Sequence, residues 1–440
     1  MKIFVFLLAS VPIFAATDDS FMIRGATVHP VSSPEIQNGS VLVRDGKIVG
    51  VGRNLAVPKG VKVIEAKGMH VYPGMIDSAT ELGLSEVSSV RETVDTGEIG
   101  KFNPQLRAEI AINPSSEHIP VVRANGITTA ITLPMTVGRG EGGGMRGGGG
   151  QPSIIGGQAA LVHLDGWTWE EMDVKKSAGM AMNFPTMPSV PGRFADMMPA
   201  AMRPNSSFAE AKKAYDTQLR EMKEFFEEAR RYQKAKASGM PINTDLKFEA
   251  MLPVLEGKMP LVAVAARERA IRDAVKFAEE QKVKLVLADP KELGSMGPEL
   301  KAKGIAVILG PTLALPLKED DPYDAAFTLP GEFYKAGIKF AFGTFNNQFA
   351  RNLPYQAATA VAFGLPYDEA LKAVTLNAAE IWGVSERIGS IEEGKWADLM
   401  LTDGDPLETK TQVTQLFIKG KSVDLDNRQK RLYEKYLNRP

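Results

Sequence analysis

Residues 261–288, LVAVAARERAIRDAVKFAEEQKVKLVLA, decide the fold class of this chain. Residues 261–266 and 285–288 are apolar without interruption, and residues 267–281 between them have the apolar spacing of an amphipathic helix. A strand that is apolar on both faces needs cover on both faces. The pattern therefore predicts parallel strands packed beneath helices.

The alternation of strand and helix continues beyond this stretch. Residues 306–309 and 338–342 are further apolar runs, and residues 298–303 have helical periodicity. Repetition over this length favours a closed barrel over an open sheet. The predicted fold class is α/β, with a (β/α)8 barrel of the TIM type.

The two ends of the chain have a different pattern. Residues 40–51, SVLVRDGKIVGV, alternate on both sides of Asp45-Gly46, a dipeptide that suits a tight hairpin turn. Further short strands are predicted at 61–64, 398–401 and 413–418. We expect strands from both ends to form a small composite β-sandwich beside the barrel.

The first residues are typical of a secretory signal peptide. Met1-Lys2 precedes an apolar run over residues 3–14, which is too short to cross a bilayer and is followed by small residues. A buried first strand is the alternative. The signal reading, with no cysteine in the chain, predicts cleavage near Ala16 and a periplasmic or secreted protein.

These patterns divide the chain into predicted segments. Residues 1–15 are the signal peptide, and residues 16–70 and 385–425 form the composite β-sandwich. Residues 71–384 form the barrel, with a Gly- and Met-rich insertion around 135–205. Residues 426–440 are a C-terminal tail.

Charge gives no evidence for a polyanionic partner. Lys and Arg number 52 and Asp and Glu 53, a formal net charge of -1. Such a balance does not predict nucleic acid binding or long-range attraction to an anionic membrane. No later stretch is long enough for a membrane span. The expected partners are a small molecule, another copy of the chain or a related protein.

Three stretches resemble the amidohydrolase superfamily. Residues 71–77, VYPGMID, resemble the entry into its first barrel strand, and residues 360–408 are similar to its C-terminal signature. Residues 156–172 are similar to a stretch of its imidazolonepropionase-like branch. The resemblance implies a (β/α)8 barrel with a β-sandwich from both termini. It also implies hydrolysis of non-peptide C–N bonds with zinc or another divalent metal.

The positions that match the metal ligands of that superfamily carry other residues. The resemblance implies a His-x-His pair in the first strand, where this chain has Ser78 and Thr80, and a histidine near Ala266 after the fifth. It implies an aspartate after Thr344 in the eighth strand, where Phe345 stands. Hydroxyls are poor zinc ligands beside imidazole, and a phenyl ring offers none.

Two carboxylates remain as weak metal candidates. Asp289 falls at the position of the sixth-strand histidine, and Glu249 is the loose match for the bridging residue of the fourth strand. Oxygen ligands suit Mg²⁺ or Ca²⁺. Arg267 is expected to meet an anionic ligand at the barrel mouth or to form a surface ion pair. Asp77 is expected to accept backbone N–H groups, with catalysis as the alternative.

The four histidines are not placed by sequence to rebuild a metal site. His29 belongs to the predicted sandwich, His70 precedes the first barrel strand, His118 precedes a helical segment, and His163 lies in a predicted strand. Ordinary polar or core roles are expected for all four.

Three functions are therefore open. The first is a binding or partner protein without a working metal centre or cofactor, which binds a small molecule, forms a homo-oligomer or pairs with an intact amidohydrolase. The second is an active C–N bond hydrolase with a reduced or atypical metal site. The third is a metal-free enzyme that relies on Asp289, Ser78 and loop residues.

Overall fold

The computed structural model describes residues 19–134, 153–187, 208–239, 241–316 and 320–439. The predicted signal peptide and much of the predicted insertion at 135–205 lie outside the described residues. The described strands form two sheets, one from both ends of the chain and one from its middle.

The strands and helices of the described residues have the following bounds. The strands are β1 (Phe21–Val28), β2 (Ile36–Arg44), β3 (Lys47–Arg53), β4 (Lys62–Glu65), β5 (His70–Pro73), β6 (Met75–Thr80), β7 (Ile127–Thr132), β8 (Ile155–His163), β9 (Asp173–Asn183), β10 (Leu261–Val264), β11 (Leu285–Ala288), β12 (Ala306–Leu309), β13 (Phe340–Phe342), β14 (Leu399–Thr402), β15 (Val413–Ile418) and β16 (Lys421–Val423). The α-helices are α1 (Ala108–Ala111), α2 (His118–Arg123), α3 (Trp169–Met172), α4 (Phe208–Ala237), α5 (Leu246–Leu255), α6 (Glu268–Glu280), α7 (Gly297–Ala302), α8 (Ala325–Lys335), α9 (Leu353–Ala362), α10 (Tyr367–Ala373), α11 (Leu376–Ile381) and α12 (Arg428–Leu437). Short 3-10 turns cover Arg91–Thr93, Gly294–Met296 and Ala350–Asn352.

The two ends of the chain meet in one mixed sheet, the composite sheet. Its order is β16-β15-β14-β5-β1-β2-β3, and β4 pairs with β1 beside this path. Phe21 of β1 stacks on Phe417 of β15 at 4.4 Å between ring centroids, although two strands lie between them in the sheet. The sheet therefore folds over a hydrophobic core of its own.

The predicted hairpin turn is confirmed, and a second turn packs against it. Asp45 and Gly46 have φ angles of 50° and 74°, and Lys419 and Gly420 have 48° and 75°. A methyl group on Gly46 would lie 2.5 Å from the carbonyl oxygen of Lys419. Glycine at position 46 thus permits both the turn and the close contact between the two chain ends.

The middle of the chain forms the barrel sheet, in the order β13-β12-β11-β10-β9-β8-β7-β6. Seven of these eight strands run parallel to one another, as expected, but β8 is antiparallel to both β7 and β9. A strict (β/α)8 pattern is therefore wrong at this strand. Only a short connection that includes α3 joins β8 to β9, and a parallel pair would need a longer crossover.

The barrel is nearly closed between its first and last strands. The backbone N–H of Phe345, just beyond β13, donates to the carbonyl oxygen of Ala79 in β6 at 2.7 Å. One apolar cluster fills the interior and includes Ile76, Ile131 and Ile308. A second, larger cluster lies between the strands and the helices. No helix in the described part of the chain is long and apolar enough to cross a membrane.

A buried polar pair joins the barrel to the composite sheet. Nε2 of His163, the last residue of β8, donates to Oδ2 of Asp398 at 2.8 Å, and both side chains are almost fully buried. The other carboxylate oxygen of Asp398 accepts the backbone N–H of Lys419 at 2.8 Å. The carboxylate therefore satisfies donors from both parts of the fold.

We predict that Asp398→Ala destabilises the protein by about 3 kcal/mol, because it leaves the His163 side chain and the Lys419 N–H buried without their acceptor. Equilibrium unfolding in urea measures the change. Glu224→Ala, in an exposed i,i+4 pair with Arg220, is the control and is expected to change stability by less than about 0.5 kcal/mol. Equal effects of the two substitutions would contradict the proposed role of the pair.

Candidate functional site

The carboxyl ends of the parallel strands define the barrel mouth, where ligands bind in barrels of this kind. The strand ends that carry the predicted site residues are those of β6, β10, β11 and β13. The structure brings Ser78, Thr80, Ala266, Asp289, Thr344 and Phe345 to these four ends. Arg267 lies half-buried directly before α6.

Asp77 of β6 holds the first and last strands together at the mouth. Its Oδ1 accepts the backbone N–H groups of Thr344 at 3.0 Å and Ala79 at 3.3 Å. Its Oδ2 accepts the hydroxyl of Thr344 at 2.5 Å. The expectation that Asp77 accepts backbone N–H groups is confirmed. The two hydrogen bonds from Thr344 also hold that residue beside β6.

Burial makes the carboxyl of Asp77 a weaker acid than an ordinary aspartate. Loss of water raises the pKa of its carboxyl to about 7, against the lowering effect of the hydrogen bonds from Thr344 and Ala79. A carboxyl of this kind exchanges its proton near neutral pH. Burial thus raises the pKa of two carboxyls at the mouth, Asp77 and Asp289.

The two hydroxyls at the first strand have different surroundings. Thr80 donates to the carbonyl oxygen of Asn346 at 2.7 Å, so it links β6 to the segment after β13. Ser78 is fully buried, and its Oγ has no hydrogen-bond partner among the described residues. Both hydroxyls thus lie inside the wall, and neither is an exposed group.

Asp289 forms an ion pair at the end of β11. Its backbone is left-handed, with φ at 51°, and its Oδ1 accepts from Nζ of Lys291 at 2.5 Å. Burial raises the pKa of the Asp289 carboxyl, while Lys291 acts in the opposite direction. A methyl group on Gly310 would lie 1.8 Å from Oδ1 of Asp289. Glycine at this position therefore makes room for the carboxylate.

Phe345 occupies the end of β13 with a left-handed backbone, φ 47°. Its ring is half-buried and packs against the apolar interior of the barrel. Beside β10, the carbonyl oxygen of Ala266 accepts the backbone N–H of Lys291 at 2.8 Å. The mouth is thus lined by an aromatic ring and alanine where the resemblance implies metal ligands.

Glu249 does not lie at a strand end, so its assignment to the fourth strand is wrong. It lies in α5, and its carboxylate accepts from Nζ of Lys236 and the hydroxyl of Tyr232 at 2.6 Å each. These contacts lower the pKa of Glu249, with the Lys236 hydrogen bond as the largest cause. The fourth barrel strand is β9, which ends at Asn183.

All four histidines lie in the described part of the chain, and none is at the mouth. His29 and His70 are hydrogen-bonded to each other at 3.0 Å in and beside the composite sheet. His118 contacts the carbonyl oxygen of Glu86 at 3.0 Å, and His163 is bound to Asp398. Their expected polar and core roles agree with these contacts.

The described residues do not fit the metal centre that the resemblance implies. Among them, no group of three or more His, Asp or Glu side chains is placed to hold a metal ion. Asp289 is already paired with Lys291, and the hydroxyl of Thr344 is bound to Asp77. The chain therefore offers hydroxyl, alanine and phenyl groups where imidazole and carboxylate are implied.

Comparison with known proteins gives the family. A sequence profile described as the Amidohydrolase family matches residues 324–423. An amidohydrolase from Thermotoga maritima has a similar structure, with a TM-score of 0.75, 27% identity and coverage of 92% of this chain and 99% of that one. The chain is a member of the amidohydrolase superfamily.

Two curated relatives support the membership. Amidohydrolase tasK of Hapsidospora irregularis is 23% identical over 413 residues, 87% of this chain and 39% of that protein. Imidazolonepropionase of Sphingopyxis alaskensis is 30% identical over 210 residues, 39% of this chain and 52% of that enzyme. The chain thus spans only about two fifths to a half of these relatives.

Sequence reasoning did not identify three parts of the mouth. Lys291 pairs with Asp289, and Gly310 makes room for the Asp289 carboxylate. The carbonyl oxygen of Asn346 accepts the hydrogen bond from Thr80. A signal existed only for Lys291, which is two residues beyond Asp289. The other two depend on contacts between distant strands.

We predict that Gly310→Ala destabilises the protein by about 2 kcal/mol, because the new methyl group overlaps the Asp289 carboxylate. The same substitution in an Asp289→Ala background is expected to cost at least about 1 kcal/mol less. Urea unfolding of the four proteins in this double-mutant cycle measures the difference.

Gly97→Ala is the matched control, since a methyl group there meets no atom within 4 Å. It is expected to leave stability nearly unchanged in both backgrounds. If Gly310→Ala were equally costly with and without the Asp289 side chain, the two residues would not be in contact as described.

We predict that Asp77 makes the protein less stable as pH rises. Its folded pKa of about 7 exceeds the ordinary value of 3.8, so the folded state holds the proton more tightly. Stability from this group is present below about pH 4 and is lost as pH rises to about 7. Asp77→Asn should therefore gain stability relative to the wild type by up to about 1.4 kcal/mol per pH unit across that window.

Urea unfolding at several pH values measures this difference. Asp403→Asn, which changes a carboxylate exposed to water, is the control variant. A constant difference between Asp77→Asn and the wild type from pH 4 to pH 7 would show that Asp77 does not titrate as the burial implies.

Proposed function

We propose that this chain is an amidohydrolase-superfamily protein that binds a small molecule at its barrel mouth without a metal centre. Its superfamily supports a hydrolase-type ancestry. The predicted site residues lie at four strand ends of the mouth, those of β6, β10, β11 and β13. None of these ends carries the imidazole that a zinc-activated water requires.

The ion pair between Asp289 and Lys291 carries this proposal. Asp289 is the only carboxylate at the strand-end positions that match the superfamily ligands, and its Oδ1 lies 2.5 Å from the Lys291 ammonium. A divalent ion bound to that oxygen would sit beside a positive charge and would have to displace it. The structure therefore favours an internal ion pair over metal ligation.

The half-buried groups around this pair define what the mouth offers a ligand. Lys291 and Arg267 supply positive charge near the ends of β10 and β11, and Phe345 supplies an apolar face at β13. Such a mixture suits a small molecule with an acidic group and an apolar part. N-acyl amino acids and the open forms of cyclic amides have this chemistry and belong to the C–N bond class of the superfamily.

An active C–N bond hydrolase is the second candidate. The similarity to Amidohydrolase tasK over 87% of this chain favours it, as does the Thermotoga maritima amidohydrolase over 92%. The Asp77 carboxyl, with a pKa of about 7, supplies an acid–base group that requires no metal. In this reading the group that exchanges a proton is Asp77, and its hydrogen bond to Thr344 orients it.

Metal content and ligand binding together test the proposal. Protein purified without chelators is expected to contain clearly substoichiometric zinc, manganese, iron and magnesium by elemental analysis. N-acyl amino acids are expected to bind and to raise the melting temperature without being hydrolysed. Lys291→Ala is expected to raise the Kd for these ligands about tenfold or more. Lys282→Ala, on an exposed turn after α6, is the matched control.

Two results would overturn the binding proposal. One equivalent of tightly held metal that is lost in Asp289→Ala would show a metal centre after all. Hydrolysis of an N-acyl or cyclic amide that Asp77→Asn abolishes, with normal folding by circular dichroism, would establish the metal-free hydrolase instead.

A further inference from the structure

The C-terminal helix α12 carries an unusual exposed stripe of large apolar side chains. The predicted tail thus contains a helix of ten residues, and none of them is buried. The stripe, called the Leu/Tyr stripe, consists of four residues whose exposed fractions range from 38% to 67%: Leu432, Tyr433, Tyr436 and Leu437. The helix is anchored at its start, where the buried Asn427 side chain accepts from the backbone N–H groups of Gln429 and Lys430.

The stripe and the charged residues occupy opposite halves of the helix. With about 3.6 residues per turn, the four members of the stripe share one half, and Lys430, Arg431, Glu434 and Lys435 share the other. The contacts of Arg431 orient the helix. It pairs with Asp426 at 2.8 Å and lies 3.9 Å from Glu117 beside α2. Because Arg431 faces the body of the protein, the stripe on the opposite half faces away from it.

The local charge of this helix differs strongly from that of the whole chain. Residues 428–439 contain one acidic side chain, Glu434, and five basic ones: Arg428, Lys430, Arg431, Lys435 and Arg439. The complete chain has a formal net charge of -1. Residues 428–439, which expose the Leu/Tyr stripe, thus carry more basic than acidic side chains, unlike the chain as a whole.

Charge decides between the candidate partners of the stripe. Docking against α12 of a second copy would bring two strongly positive helices together, which like-charge repulsion opposes. An anionic lipid surface is complementary to the same charges. On a helix, Arg428 and Lys435 fall on one edge of the stripe and Lys430 on the other, so cations flank the apolar side chains on both sides.

We propose that α12 docks the protein on an anionic lipid surface, with the Leu/Tyr stripe in the headgroup region and the flanking cations at the lipid phosphates. Amphipathic helices with leucine and aromatic residues on one face and Lys and Arg on the other bind lipid interfaces in this way. Tyrosine suits this depth because its ring is apolar and its hydroxyl remains hydrated. The barrel is thereby held near the membrane without a membrane span.

Sedimentation with lipid vesicles tests this docking. The protein is expected to bind vesicles of equal parts phosphatidylcholine and phosphatidylglycerol, and to bind phosphatidylcholine vesicles at least about tenfold more weakly. Lys430→Glu/Lys435→Glu and Leu432→Ser/Leu437→Ser are each expected to lower the partition coefficient about tenfold or more. Raising the salt from about 0.05 M to about 0.5 M should weaken wild-type binding.

The controls carry the same changes on other exposed surfaces. Lys59→Glu/Lys67→Glu matches the charge change, and Val57→Ser/Ile99→Ser matches the loss of exposed apolar side chains. Both are expected to bind like the wild type. All variants have the same N-terminal residues, so any lipid contact of the predicted signal peptide is the same in all of them. Because no α12 residue is buried, the α12 variants are expected to keep the wild-type circular dichroism spectrum.

Three outcomes would overturn the proposal. The first is failure of the wild-type protein to bind vesicles that contain phosphatidylglycerol. The second is equal binding by the α12 variants and their controls. The third is a dimer in size-exclusion chromatography that dissociates in Leu432→Ser/Leu437→Ser, which would assign the stripe to a second copy of the chain.

Discussion

The mouth of this barrel depends on one buried carboxylate that bridges its first and last strands. Few backbone hydrogen bonds connect β13 to β6, so the seam between them relies on side chains. Asp77 accepts three hydrogen bonds there, two of them from Thr344. Burying the carboxyl raises its pKa to about 7, so the seam is held by a group that is costly to ionise in place.

This seam also fixes what the neighbouring residues can do. Thr344 is committed to Asp77, and Thr80 is committed to the carbonyl oxygen of Asn346. On the far side of the mouth, Asp289 is committed to Lys291. These three side chains are thus already engaged in contacts within the protein. These polar contacts close and stabilise the wall of the barrel.

Much of the fold could be predicted because its signals are local. The run at residues 306–309 forms a strand with those same bounds, and the Asp45-Gly46 turn has the left-handed angles that the dipeptide favours. The direction of β8 could not be predicted, since an apolar strand inside a barrel reads the same whether it is parallel or antiparallel. The predicted match of Glu249 to the fourth strand is wrong, because that strand is β9, far earlier in the chain.

The site was less predictable than the fold for a related reason. The positions of Ser78, Asp289 and Phe345 could be predicted, because they follow from the ends of apolar runs. What each position does depends on partners brought by other strands, such as Gly310 beside Asp289 and Asn346 beside Thr80. No spacing in the sequence encodes such contacts, apart from Lys291, which is close to Asp289 in the chain.

The fold of this barrel rests on apolar cores, and this separates it from proteins that metal holds together. In small zinc domains the binding free energy of the metal is the folding free energy. Here an apolar cluster fills the interior, a larger one lies beneath the helices, and a third belongs to the composite sheet. Because these cores hold the barrel together, its strand ends can carry an ion pair at Asp289 and aromatic packing at Phe345.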